Sequence, residues 1–596
     1  MKVRPLFKKR LFWLILIFIF AALFFLINRP STRPPGDRDS ATGPSNTSAY
    51  RDRSVPAESS TADSNAGEGR GRPRIYIESS LSPAEYSRFI VPTAEVKAIP
   101  WQYTTKKPSR DWFEPDYADA DWHTGKAGFG SKKKTAPIGT AWSSPEIWMR
   151  RAFSLEAGID ELPGLWIQHD EDVAVYLNGV LAARKKGRQS TYGFVPLSAA
   201  GREALHPGRN VIAVHCRNQR GPQYVDVGLA VFPRLDLPVT GREPAPSLEI
   251  ISRTVQRFMQ DNLIPSGTLA VMKKNRLVIA KGFGYTDRNR TIPIQPDALM
   301  RLASLDKLIT KAAMKVLISQ NPPLPTGERL QLSTPVFPLL ETFGMTLPGG
   351  ANPDPRLNDI TIEHLLEHRS GLEHLPGQAR RTIENDLGIR GKASAEDAVR
   401  WLLSRPLRFT PGTKKEYSNS AYGVARYVIQ VITGDLLQFL KNNVIRPAAG
   451  VGLAYDLPAD RDHREPWYSS GNHIRSSILP KKRAAAPGPG VETNLQRGLG
   501  LIGSAEAMAL FLRSYHMGHG TPLLDPRTGR WAAVPDNGYG VFFGRFGGTF
   551  TLAMQRRRDE VNVAVLFNQN GDYTALAEEL KGILDALPEK AWPVKK

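Results

Sequence analysis

The 596-residue sequence predicts a multidomain chain: an N-terminal transmembrane helix, an all-β jelly-roll sandwich, and a C-terminal α/β domain with an antiparallel sheet and a helical subdomain. Three observations lead there. An unbroken apolar run covers Leu11 to Ile27. Short strand-like segments broken by Gly, Pro and Asp turns fill residues 75–235. Beyond residue 247, helical and strand periodicities alternate, starting and finishing with a helix.

The first element, residues 1–30, carries Lys2, Arg4, Lys8, Lys9 and Arg10 ahead of the apolar run. Spanning a bilayer takes ~17–25 apolar residues, so the run is long enough. Its exit, Phe25-Leu26-Ile27-Asn28-Arg29-Pro30, lacks the small-x-small pattern of a cleavage site. The expectation is an uncleaved signal anchor in the cell membrane, basic end in the cytoplasm, with the remainder periplasmic or extracellular. A long cleaved signal peptide is the competing reading. Residues 31–74, rich in Pro, Ser, Thr, Gly, Asp and Arg, hold too little apolar surface to offset ordering entropy and read as a flexible linker.

Strands of the sandwich, residues 75–235, are read at Ile147–Phe153, Leu165–Gln168, Val173–Leu177 and Asn210–His215, with Asn178-Gly179 as a hairpin turn. Asp170-Glu171-Asp172 reads as a solvated turn, with a calcium site as its alternative. Residues 236–246, with Pro238, Gly241, Pro244 and Pro246, form a second linker. The domain at 247–592 opens with an amphipathic helix whose stripe is Leu248, Ile251, Val255, Phe258 and Met259. Strands follow at Leu269–Met272 and Leu277–Ala280, then near Phe546–Met554 and Val561–Phe567, before a closing helix containing Ala575, Leu580 and Leu584.

Composition excludes some classes. A net charge of +21 invites a nucleic-acid reading, but the basic residues are scattered and no basic stripe interleaves with aromatics. No nucleic-acid partner is expected. The single cysteine, Cys216, rules out an intramolecular disulfide and a Cys-based zinc cluster.

The chemistry centres on Ser304-Leu305-Asp306-Lys307. Positions three apart share a helix face, which puts a serine hydroxyl beside a lysine able to take its proton. A helix N-terminus adds free N–H groups for an oxyanion. Downstream, Tyr417-Ser418-Asn419 follows a Pro411-Gly412 turn and precedes an apolar helix. A phenol beside an ammonium ionises more readily and can shuttle a proton, and Asn419 is suited to hydrogen-bond a substrate carbonyl or Lys307.

Ser304-x-x-Lys307 and Tyr417-x-Asn419, together with His364-Leu365-Leu366-Glu367-His368-Arg369-Ser370-Gly371-Leu372, resemble the serine β-lactamase-related family of class C β-lactamases, D-alanyl-D-alanine carboxypeptidases and esterases. The resemblance covers about 247–590. It implies catalytic roles for Ser304, Lys307 and Tyr417 and no metal or organic cofactor. The family's third element, Lys-Thr-Gly or His-Thr-Gly, is matched to Arg545-Phe546-Gly547, making Arg545 with Asn419 the substrate-orienting residues. By the same resemblance the oxyanion hole is formed by the backbone of Ser304 and Gly548. Loss of the Thr hydroxyl at Phe546 tilts the expectation from β-lactam or D-Ala-D-Ala cleavage toward an esterase. The run 169–179 and Pro207-Gly208-Arg209-Asn210 are similar to galactose-binding-like sandwich domains attached to bacterial glycoside hydrolases, which implies cell-wall or other polysaccharide as a partner of residues 75–235.

Rival readings concern the same residues. His364-x-x-Glu367-His368 matches an inverted zinc-protease pattern without a third ligand. Gly498-x-Gly500-x-x-Gly503 lacks the upstream strand of a dinucleotide site. The expected function is a membrane-anchored extracytoplasmic serine hydrolase acting on a small ester, amide or peptide through an acyl-enzyme on Ser304. The alternative is an inactive scaffold with a carbohydrate-binding module at the cell surface.

Overall fold

The structure, a computed structural model, describes residues 88–593 apart from 132–136, 157–160, 219–220, 244, 288, 350–352, 375–378, 392, 447–452, 455–463, 469–500, 522, 524–537, 547, 570 and 572. The first twelve strands are β1 (Arg88–Val91), β2 (Pro100–Thr104), β3 (His123–Lys126), β4 (Phe129–Gly130), β5 (Thr140–Ala141), β6 (Glu146–Leu155), β7 (Leu162–His169), β8 (Asp172–Leu177), β9 (Val180–Lys185), β10 (Gln189–Pro196), β11 (Gly208–Arg217) and β12 (Tyr224–Phe232), with a short helix α1 (Ala199–Glu203). They form two six-stranded sheets. One has the order β10-β7-β12-β4-β5, with β1 also on β12; the other runs β3-β2-β6-β11-β8-β9. Alternation along each strand sends one face inward: Ile147 and Met149, Val173 and Val175, Ile212 and Val214 from one sheet meet Leu165, Ile167, Val225 and Val227 from the other. The hairpin turn between β8 and β9 has Asn178 at φ +47° and Gly179 at φ +85°, the double positive φ that a right-twisted two-residue hairpin needs.

Two expectations are corrected here. The strand order is not a jelly roll, which takes eight strands in a double Greek key. Twelve strands form two sheets of six, with hairpins β2–β3 and β8–β9 extending one sheet and a parallel pair, β4–β5, at the edge of the other. Turn signals reveal where strands end but not which strands pair, so the error lay in the pairing. The single-pass membrane protein with an extracytoplasmic catalytic domain is also withdrawn. Among the described residues no helix is long and apolar enough to cross a membrane, and the run 11–27 expected to do so lies outside them. In the Asp170-Glu171-Asp172 turn, Asp170 pairs with Arg188 at 3.6 Å and Asp172 accepts the Gly187 amide at 2.9 Å.

The rest of the described chain contains α2 (Glu249–Asp261), α3 (Asp306–Gln320), α4 (Val336–Thr342), α5 (Ile362–Leu366), α6 (Ala379–Asp386), α7 (Ala395–Leu403), α8 (Asn419–Thr433), α9 (Leu436–Leu440), α10 (Ala505–Ser514) and α11 (Ala575–Ala586). Its strands are β13 (Val239–Arg242), β14 (Ser266–Lys273), β15 (Arg276–Gly284), β16 (Met300–Arg301), β17 (Leu453–Ala454), β18 (Ile502–Gly503), β19 (Tyr539–Phe546), β20 (Thr549–Arg556) and β21 (Val561–Phe567). Six of them make an antiparallel sheet ordered β13-β15-β14-β21-β20-β19. Within the expected linker, β13 is thus the edge strand of that sheet. β18 pairs with β16 and β17 in a small sheet, so the Gly-rich run ends on a strand; its residues 498–500 lie outside the described ones.

Each face of the six-stranded sheet buries a different layer. On one, α2 and α11 supply Ile251, Val255, Met259, Leu576 and Leu580, and Leu162, Trp166 and Phe232 of the sandwich join the same cluster. On the other, Ala270, Ala553 and Ala564 pack toward the helical subdomain of α3, α5, α7, α8 and α10. β19, at the sheet edge, splits between them: Val541 and Phe543 face the first cluster, Phe542 the second. The even-numbered face of β19 therefore looks onto α3.

Candidate active site

Ser304 sits where β16 turns into α3. Leu302 is held from two sides, its N–H donating to Leu501 O at 2.9 Å and its carbonyl accepting from Thr551 Oγ1 at 3.0 Å. The next residue, Ala303, is buried with φ +50°, a left-handed backbone that costs a Cβ-bearing residue about 1–2 kcal/mol. That bend feeds a single 3-10 turn, Ala303–Leu305, and α3 starts at Asp306. Ser304 thereby lies at the positive end of a helix dipole.

Lys307, one turn on, is 1% exposed, and its ammonium donates to Ser304 Oγ at 3.1 Å. Tyr417 arrives from the other side: its hydroxyl and Ser304 Oγ share a hydrogen bond of 2.8 Å. The Lys307 nitrogen lies 5.2 Å from the centre of the Tyr417 ring and 5.8 Å from that of Tyr422. Serine, lysine and tyrosine therefore meet in one cluster, with the tyrosine 47% exposed at its mouth.

The tyrosine is placed by the segment after α5. Glu416 N–H donates to His368 O at 2.8 Å and Ser418 N–H to His368 Nδ1 at 3.1 Å, while the His368 ring lies 4.6 Å from that of Tyr417. Gly412 N–H donates to Arg369 O at 2.8 Å. Because Nδ1 accepts from a backbone amide, the neutral imidazole carries its proton on Nε2. Burial, then the positive charge of Lys307, pushes His368 down to about 4. His368 itself has φ +59°. Ser418 then caps α8 by accepting the Ala421 amide at 3.1 Å.

Neither histidine of the zinc pattern faces a metal cluster. His364 closes a capping box on α5, its Nδ1 accepting the Thr361 amide at 3.3 Å, and among the described residues no group of three or more His, Cys, Asp or Glu could hold a metal ion.

Asn419 opens α8 beside the cluster. Its N–H donates to His374 Nδ1 at 3.3 Å, and its side-chain Oδ1 is buried with no hydrogen-bond partner among the described residues. Burial and Lys307 hold His374 below its ordinary value. Arg545 and Gly548 lie elsewhere on the β19–β20 hairpin. The strand residue that touches the serine is Gly544: a Cβ there would come within 2.8 Å of Ser304 N and 2.9 Å of Leu302 O. Neighbouring strand residues point to opposite faces, so the exposed Arg545 leaves on the far face, and Phe542 shares the near face with Gly544. Gly548, with φ +82°, sits in the turn closed by the Phe546–Thr549 pair. Gly544, Phe542 and His374 were not singled out from sequence, and His368 was singled out without its role in holding the Tyr417 loop. The signal for the first two was the alternation of β19, obscured by its run of phenylalanines and the three closely spaced glycines after it.

The family model described as Beta-lactamase matches residues 251–587. Esterase EstB of Burkholderia gladioli is 32% identical over 233 residues, 37% of this chain and 56% of that protein. Unguisins hydrolase ungD of Aspergillus violaceofuscus is 31% identical over 193 residues, 32% of this chain and 31% of that protein. Among solved structures, a beta-lactamase/D-alanine carboxypeptidase from Yersinia pestis complexed with citrate is 16% identical, with a TM-score of 0.42 covering 57% of this chain and 98% of that one. The chain spans between about a third and just over half of the length of these two curated relatives.

Proposed function

Because this chain belongs to the beta-lactamase family through residues 251–587, a serine-hydrolase family, we propose that it hydrolyses uncharged carboxylic esters through an acyl-enzyme on Ser304. The observation that carries this is the contact of Ser304 Oγ with both Lys307 Nζ and Tyr417 Oη, at 3.1 and 2.8 Å. A serine hydroxyl bonded to two groups that can exchange protons has a route for its proton in and a route for it out.

In the proposed cycle, Ser304 Oγ attacks the acyl carbon and gives its proton to the Lys307–Tyr417 pair. The tetrahedral oxyanion is held by the Ser304 N–H and by β19 beside Gly544, whose Cα lies against Ser304 N. The C–O bond to the leaving group breaks as the pair returns the proton to the departing alkoxide. Water then gives a proton to the same pair, adds to the acyl-enzyme, and releases the carboxylic acid as Ser304 regains its hydrogen. Asn419 Oδ1, an acceptor with no donor among the described residues, is assigned to substrate or to Lys307.

The preference for esters rests on the near face of β19. The even-numbered residues of β19, Gly540, Phe542, Gly544 and Phe546, include no cation to hold a substrate carboxylate. β-Lactams and D-Ala-terminated peptides carry that carboxylate. Among the relatives, one is named an esterase. The test is a panel of p-nitrophenyl acyl esters, a chromogenic cephalosporin and a D-Ala-D-Ala peptide assayed on the full chain. Ester turnover at least 100-fold above the other two is expected, and equal or greater cephalosporin turnover would overturn the substrate reading.

A further inference from the structure

Asp306, inside the Ser-x-x-Lys tetrad, turns away from Lys307 and meets Arg426 of α8, Nη2 to Oδ1 at 3.2 Å, with both side chains less than 5% exposed. Arg426 Nε also donates to Thr310 Oγ1 at 3.1 Å, and that hydroxyl in turn donates to Asp306 O at 3.1 Å. Asp306 and Thr310, four apart, form one face of α3. Lys307 and Lys311, also four apart, form the neighbouring face, where the first meets Ser304 and the second meets Glu367 at 2.6 Å. Arg426 lies about two helical turns past Asn419, on the helix whose N-terminus Tyr417 precedes.

A buried ion pair is a costly way to join two helices; apolar residues of similar size often do as well or better. Its two virtues are direction and charge. The guanidinium fork fixes the relative register of α3 and α8, and the pair places a carboxylate and a cation next to the buried Lys307. We propose that the Asp306–Arg426 pair is the positioning device of this site, clamping the helix of Ser304 and Lys307 to the helix anchored by Tyr417 while keeping the charge beside Lys307 balanced. This rests on the reading of Ser304 as nucleophile.

The charged and titratable groups around Lys307 are Asp306 and Lys311 on its own helix, Tyr422 and Arg426 on α8, Tyr417 and Lys415 on the preceding loop, and Glu367, His368 and His374 from the segment after α5. Removing the Asp306 charge leaves the Arg426 cation unopposed and disfavours a second positive charge at Lys307.

The test measures kcat/KM against pH for p-nitrophenyl acetate with the full chain, after thermal melts show which variants fold. D306N is expected to move the acid limb down by about one pH unit and to lower plateau kcat about 10-fold. The double variant D306N/R426M, which removes both charges, returns the limb to its wild-type position. R426K keeps the charge but loses the fork, so the limb stays and kcat falls about 10-fold. A folded D306N with an unmoved limb, or a folded R426K with wild-type kcat, overturns the proposal. Should D306N fail to fold, R426K with D306E, which keeps both charges at altered reach, decides it through kcat alone. Wild-type labelling of Ser304 by a fluorophosphonate separates this failure from failure of the reading beneath it: labelling with no effect in the variants sinks the clamp, and no labelling sinks the nucleophile.

Discussion

Among the described residues of the sandwich, 88–232, the non-glycine residues with left-handed backbone are Glu171 and Asn178, both at turns; of the seven in the hydrolase region, Ala303 and His368 are buried beside Ser304 and Tyr417. The polar groups differ in the same way. In the sandwich, Tyr192 donates to buried Asp226 at 2.6 Å and contacts Tyr224, which donates to Pro137 O. Asn178 and Asn210 bond each other and the neighbouring backbone, and Arg150 is held by Asp119 and Trp112 O. Those networks are turned inward on the protein itself. Around Ser304, by contrast, one hydroxyl oxygen is shared by a lysine and a tyrosine, and that tyrosine is half exposed. Left-handed residues such as Leu263 and unpaired buried atoms such as Thr93 Oγ1 occur elsewhere too; what sets the Ser304 region apart is that a left-handed backbone, a shared hydroxyl and an exposed phenol converge on one point.

The largest effect that sharpens this contrast is on turnover. Ser304→Ala should lower ester hydrolysis by about 1,000-fold or more, and Lys307→Ala or Tyr417→Phe by about 100- to 10,000-fold, without summing in the double variant. Tyr192→Phe in the sandwich should leave kcat unchanged and cost about 1–2 kcal/mol of stability by removing one of the two hydrogen bonds to buried Asp226 Oδ2. Steady-state kinetics and urea unfolding of the same preparations give both numbers. A sandwich variant that lost turnover at full stability would break the division.

The next effect is on pH-dependent stability, and the two regions should respond with opposite sign. His368 is pushed down to about 4 by burial, then by Lys307, from its ordinary 6.5. As pH falls from 6.5 toward 4 the unfolded chain takes the proton first, so stability present above 6.5 is lost over that window, by about 3 kcal/mol at 1.36 kcal/mol per pH unit. Asp226 is raised by burial, against hydrogen bonds from Tyr192 and the Ala94 amide, from 3.8 to about 6. Here the folded chain holds the proton longer, so stability is greatest below 3.8 and about 3 kcal/mol is lost as pH rises to about 6. Urea unfolding at pH 4, 5, 6 and 7 should show H368Q flattening the first slope and D226N the second. Equal slopes in wild type and variant would contradict the assignment.

The smallest effect concerns strain. Ala303→Gly relieves the left-handed backbone but adds freedom to the unfolded chain, so stability should stay within about 1 kcal/mol of wild type. The loosened turn should lower kcat more than it raises KM. A melt and a kinetic comparison check it.

What could be read from the residues alone follows the range of the interactions. Ser304 and Lys307 are neighbours on one helix, and Pro411-Gly412 with the Ser418 cap announces the loop of Tyr417, so local spacing carried those groups. The hairpin at Asn178-Gly179 was legible for the same reason. Pairing order in the sandwich depends on contacts far apart in sequence, and the jelly-roll expectation failed there. β19 was missed because an edge strand of glycine and aromatic residues shows no clean polar face, so the third element was set on Arg545-Phe546-Gly547 by resemblance, without the register that brings Gly544 against Ser304. The role of His368 was not legible because a sequence cannot display a backbone amide donating to its ring.

The central claim is that Ser304 carries the acyl group, and intact-protein mass spectrometry during turnover of a slowly hydrolysed p-nitrophenyl ester tests it most directly. The account predicts a mass increase of one acyl group that maps to the peptide containing Ser304, is absent in Ser304→Ala, and decays at the steady-state rate. Turnover with no covalent species, or an adduct that persists in Ser304→Ala, would contradict it.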